Sequence, residues 1–117
     1  MSFRILSISY DPILLRVRHE LLQRQGYAVT SAEGFVEALQ LCKDGQFDLL
    51  IVGHSIPHLD KEALLSATRE SCNAPVLEMM RQGEAPLKGA TASVNPMEPQ
   101  ELLDQVERIA GRGKLGT

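Results

Sequence analysis

Asp48-Leu49-Leu50-Ile51-Val52-Gly53-His54-Ser55-Ile56-Pro57-His58-Leu59-Asp60 is the stretch that decides the fold. The uncharged run 49–52 is too short for a helix. It reads as a strand covered on both faces, the mark of a parallel sheet. The chain then leaves the sheet at Gly53. Pro57 and Asp60 start the next helix, with Asp60 as its expected cap. In an open α/β sheet, chemistry sits at the carboxyl edge of the strands. The side chain best placed for it belongs to position 53, and glycine has none.

Upstream, residues 4–9 form a first strand, with Ser7 small enough for its middle. Asp11 caps a helix whose first turn takes Pro12, where a missing N–H costs nothing. Leu14, Val17 and Leu21 fall on one face of it, with Leu15 and Leu22 beside them. Gly26 stops this helix, and 27–32 is the second strand. The next helix follows Gly34, turns Phe35, Ala38, Leu39 and Cys42 inward, and ends at Gly45.

Downstream, a helix over 60–71 places Leu64, Ala67 and Thr68 inward. Asn73-Ala74-Pro75 turns the chain into a fourth strand, 76–80. Glu78 lies within it, and a carboxylate on a covered sheet is costly unless paired. It should find a basic partner, or its side of the strand should be less covered. Gly83, Pro86 and Gly89 break the segment 81–89, which predicts a short helix or an irregular loop. A short fifth strand, 91–94, leads through Asn95-Pro96 to a last helix with Leu102, Leu103, Val106, Ile109 and Ala110 on one face.

Strands alternating with helices imply right-handed crossovers and a parallel sheet with helices on both faces. The expectation is an α/β three-layer αβα sandwich of the flavodoxin-like kind. Its five-stranded sheet would run in the order 2-1-3-4-5. The domain should span 1–112, with 113–117 a flexible tail.

At 117 residues the chain has room for one domain. A net charge of −3 argues against a general polyanion binder, so no nucleic-acid partner is expected. No apolar run approaches a membrane span, and the first residues enter a strand at once, which leaves no room for a signal peptide. Cys42 and Cys72 show neither a pairing pattern nor metal-type spacing. They read as reduced, partly buried thiols of a cytoplasmic protein.

Taken in order, several motifs resemble a response-regulator receiver (CheY-like) domain over about residues 3–112. They are Asp11-Pro12 after the first strand, Gly26-Tyr27 before the second, and Phe47-Asp48-Leu49-Leu50-Ile51-Val52. Ile56-Pro57-His58-Leu59-Asp60 is similar to the family's Met-Pro-Gly-Met-Asp loop. Ala74-Pro75-Val76 precedes the fourth strand, and Asn95-Pro96 stands where Lys-Pro is usual.

The resemblance implies a phosphoryl group passed from a histidine kinase to an aspartate after the third strand. It also implies a magnesium ion on two acidic residues after the first strand, a lysine after the fifth, a hydroxyl ending the fourth and a mobile aromatic on the fifth. Carried onto this chain, the acceptor position is Gly53 and the acidic pair falls on Ser9 and Tyr10, with Asp11 just beyond. The lysine is Asn95, the hydroxyl Met80 and the switch aromatic Ala92. Phosphoryl transfer needs a nucleophile, a cation and fixed donors. The expectation is therefore a degenerate receiver with no catalytic residue and no phosphoacceptor. It should need no cofactor, magnesium included, because Asp11 alone is a poor magnesium ligand set.

Two rival readings compete. A metal-binding protein could use His54, His58 and Asp60, but Pro57 keeps the two histidines off a common helical face. A small flavodoxin-like enzyme would want a glycine- and hydroxyl-rich phosphate loop, and Ser9-Tyr10-Asp11-Pro12 is not one. The favoured reading is an atypical receiver acting by protein contact without phosphorylation. Its partner would be a histidine kinase, another regulator or itself, so that homodimers are allowed. The expected face is helix 4–strand 5–helix 5, that is, the broken segment 82–89 with the fifth strand and the last helix, with Met79 or Met80 exposed nearby.

Overall fold

The computed structural model describes residues 2–111. The apolar runs become strands β1 (Arg4–Ser9), β2 (Ala28–Glu33), β3 (Leu49–Val52), β4 (Val76–Met79) and β5 (Ala92–Val94). All pair in parallel, in the order β2-β1-β3-β4-β5. Helices α1 (Pro12–Arg24), α2 (Phe35–Asp44), α3 (His58–Thr68) and α4 (Pro99–Ala110) complete the described residues. The fold class and strand order are as expected. The expected tail, 113–117, and Arg112 lie outside the described residues.

Strand alternation divides the core in two. Leu6, Ile8, Leu50, Val52 and Val76 face α2 and α3. Ile5, Leu49, Ile51, Leu77 and Met79 face α1 and α4. Each fully buried Leu or Ile contributes roughly 1.5–3 kcal/mol, so both faces of β3 stabilise the sheet. This is why its four residues are all apolar.

Three local readings need correction. α3 starts at His58 and ends at Thr68, and Asp60 lies inside its first turn rather than capping it. The inward stripe of α3 is Lys61, Leu64, Leu65 and Thr68, whereas Ala67 is exposed. On α1 the buried residues are Leu15, Arg18 and Leu22, and Val17 is 60% exposed. Residues 80–91 form no helix; of the two forms expected there, the irregular loop is the one observed.

The cysteine reading is also corrected. Cys42, in the last turn of α2, and Cys72, just after α3, form a disulfide with their Cα atoms 5.7 Å apart. α2 and α3 pack side by side on one face, which brings their carboxyl ends within bridging distance. A separation of 30 residues along the chain gave no sign of this.

Candidate functional site

The carboxyl edge of the sheet gathers most of the residues singled out above. Ser9 closes β1 and is buried. Its Oγ lies 2.9 Å from Ser55 Oγ and accepts the Asp11 N–H at 3.0 Å. Ser55 Oγ also accepts the Tyr10 N–H at 3.0 Å. The two loops that flank the edge are thus fastened to each other through serine hydroxyls. Asp11 Oδ1 accepts the N–H groups of Ile13 and Leu14 at 2.9 and 3.3 Å, as an N-cap should. The Tyr10 hydroxyl donates to Asp60 Oδ2 at 2.9 Å. Burial and the Asp60 carboxylate push this phenol above its ordinary pKa.

Gly53 follows β3 and is buried. A Cβ added there would lie 2.9 Å from the Ile8 carbonyl oxygen and 3.0 and 3.1 Å from the two terminal nitrogens of Arg18. Arg18 reaches this point from α1 and is 6% exposed. Its Nε donates to Ser7 Oγ at 2.8 Å, and its terminal nitrogens to Ile8 O at 3.0 Å and to Met79 Sδ at 2.7 Å. No carboxylate pairs with it among the described residues. Burial brings the guanidinium pKa down to about 10, so it stays charged at neutral pH.

Met80 follows β4, is half-buried, and donates its N–H to Val94 O at 2.9 Å. Met79, expected near the surface, is buried against Arg18 instead. Asn95 follows β5 and is exposed; its Oδ1 accepts the Met97 N–H at 2.9 Å. Ala92 opens β5 opposite Leu77, at the other end of that strand from Asn95.

A second buried charge lies on the opposite face of the sheet. Lys61 Nζ donates to Glu78 Oε2 at 3.0 Å, to Met79 O at 3.1 Å and to Glu84 Oε1 at 3.1 Å. Glu78 has the basic partner that its position required. Its other oxygen accepts the Leu87 N–H at 2.8 Å and the Ser93 hydroxyl at 3.0 Å. The 80–91 loop is therefore wrapped around the ion pair, with Leu87 driven into the core. Burial alone would raise the Glu84 carboxyl. The Arg81 N–H, Lys61 and His58 outweigh burial and hold it below its ordinary pKa.

His54, His58 and Asp60 are not brought together as one ligand set. Donor atoms of His58, Glu78 and Glu84 do lie within 4.8 Å of one another, but Lys61 Nζ is bonded to both carboxylates. His58 Nδ1 lies 3.4 Å from Glu84 Oε2. His54 faces a different neighbourhood, a cavity between α1 and α4. Its pKa is lowered by burial first, then by Arg18, Arg81 and Lys61, against a smaller opposing effect of Asp11.

Sequence reasoning missed Arg18, Lys61 and Glu84, and it placed Ser55 at the sheet edge without assigning it a role. The first two were detectable. The period that turns Leu15 and Leu22 inward also turns Arg18 inward, and Lys61 shares a face with Leu64 and Leu65. Ser55 and Glu84 sit in irregular loops, where periodicity says nothing.

No family model matches the sequence. A two-component response regulator of rice, ORR22 (Oryza sativa subsp. indica), is 33% identical over 121 residues, taking in 96% of this chain. The chain spans only 17% of that relative's length. A solved putative response regulator from Chloroflexus aurantiacus superposes with a TM-score of 0.77 at 27% identity. The match covers 96% of this chain and 100% of that one. The chain is a CheY-like receiver domain. A further receiver of this fold, TrrA of Thermotoga maritima, was solved in complex with the histidine kinase ThkA. It superposes with a TM-score of 0.77 at 23% identity, over 93% of this chain and 98% of that one. Among the described residues of this receiver domain, no helix is long and apolar enough to cross a membrane.

Proposed function

We propose that this receiver domain is a pseudo-receiver, working in two-component signalling by protein contact, without phosphorylation, magnesium or catalysis. One observation carries the reading. At the acceptor position stands Gly53, and the space a side chain would take is bordered by the Arg18 guanidinium and the Ile8 carbonyl. The polar groups around it favour the same view. Ser9 and Ser55 are engaged with each other, and the Asp11 carboxylate caps α1. Magnesium prefers several oxygen ligands, carboxylates among them. A single capping carboxylate does not fit that need.

The partner we propose is a histidine kinase, another regulator or a second copy of the chain. Its docking face is the 80–91 loop with β5 and α4, since no helix stands between β4 and β5. The Lys61–Glu78–Glu84 cluster holds that loop in one shape, which suits a constitutive contact. The test is an amide NMR titration with magnesium and then beryllofluoride, followed at Asp11, Gly53, His54 and Asn95. No site-specific shift is the expected result. Saturable shifts around Gly53 would overturn the reading.

A further inference from the structure

A cavity of about 140 Å³ opens between α1 and α4. Leu14, Leu21, Met79 and Leu102 give it apolar walls, and Arg18 and His54 line it as well. Arg18 is a buried cation whose three partners are a hydroxyl, a carbonyl and a thioether, none of them charged. A guanidinium carries five N–H donors, and a thioether is a weak acceptor. His54 Nδ1 is buried and has no hydrogen-bond partner among the described residues. An unpaired buried charge is costly, and an unpaired buried nitrogen adds to that cost. Lys61, on the other face, meets two carboxylates, so this chain does compensate its internal charge elsewhere.

We infer that the α1–α4 cavity binds a short-chain monocarboxylate, with the carboxylate on Arg18 and His54 and the chain among Leu14, Leu21 and Leu102. A planar carboxylate matches the guanidinium in both charge and shape. At roughly 30 Å³ for each methyl or methylene, three such groups take about 90 Å³ and leave about 50 Å³ for a carboxylate, the size of a butyrate. The apolar walls disfavour a bare inorganic anion, and the cation disfavours a neutral hydrocarbon. The cavity shares Arg18 and His54 with the carboxyl edge of the sheet but opens between α1 and α4, and the proposal does not depend on the absence of phosphorylation.

The probes are butyrate, its neutral isostere butyramide, and inorganic phosphate, titrated into the full chain by NMR. Saturable butyrate shifts are expected at the Arg18 Nε–H, the His54 ring, Leu21 and Leu102. Butyramide and phosphate should each bind at least tenfold more weakly. Bound butyrate should also raise the His54 pKa, because a new anion then opposes Arg18, Arg81 and Lys61 around the ring, adding to Asp11. Arg18→Met should weaken butyrate at least tenfold. Val17→Trp, at an exposed position on the cavity lining, should block binding with the cation intact, and it serves if Arg18→Met does not fold. Equal binding of butyramide or phosphate, no saturable butyrate shift, or unchanged affinity in the variants would overturn the assignment.

Discussion

The Arg18 guanidinium sits where a side chain on Gly53 would begin, its terminal nitrogens 3.0 and 3.1 Å from the point a Cβ would occupy. Any residue but glycine must displace either that buried cation or the Ile8 carbonyl of the neighbouring strand. Gly53→Ala should therefore destabilise the fold by about 1–3 kcal/mol in urea titrations. Gly53→Asp should not recover acceptor chemistry, because the new carboxylate would pair with Arg18. Incubation with acetyl phosphate and intact mass measurement should show no added phosphoryl group. A stoichiometric phosphoryl adduct on this variant would mean that Arg18 yields its place.

Lys61 and Glu78 should behave as a coupled pair. Lys61→Met leaves two acidic residues without their shared cation, and should cost about 3–5 kcal/mol in urea unfolding. Glu78→Gln keeps an acceptor for the Leu87 N–H but strands Lys61 in part. The double variant should lose clearly less than the sum of the singles. Strict additivity would show that the pair does not interact energetically.

His54 should make the protein acid-sensitive. Its folded pKa lies below the unfolded value because burial and three nearby cations disfavour the charged ring. The unfolded chain thus binds the extra proton more readily. Stability should fall as pH drops from about 7.5 through the ordinary histidine value toward 5.5. His54→Asn should flatten that part of the curve of urea midpoint against pH. Identical curves for the two proteins would assign the sensitivity elsewhere.

The Cys42–Cys72 bridge closes a loop spanning 30 residues. Loop-closure entropy for that length gives about 3–4 kcal/mol of stabilisation. Reductant should lower the urea midpoint of the native chain and leave a Cys42→Ser, Cys72→Ser variant unaffected. Two freely titrating thiols in the non-reduced native protein would contradict the bridge.

The sheet was readable because its signal is redundant. Each strand is a short apolar run, each helix has an amphipathic period, and glycine or proline marks most joints. Around the candidate site, the local cap at Asp11 was readable. The buried groups that border Gly53 were not. Val17 and Arg18 are neighbours on α1, and apolar character alone favours burying the valine. The fold buries the arginine because Ser7 and the Ile8 carbonyl offer it hydrogen bonds across the sheet. Asp60 misled for a similar reason: a hydroxyl 50 residues away takes the carboxylate that local rules assign to a cap. The cysteines were misread because pairing depends on where two helices end in space.

β5 is the last strand of the sheet and only three residues long. Its outer side offers too few backbone groups for an incoming chain to extend the sheet by strand addition. If that flank is the docking face proposed above, its recognition is written in side chains. It can be edited one residue at a time, on the exposed positions of the 80–91 loop and α4, without disturbing the scaffold beneath.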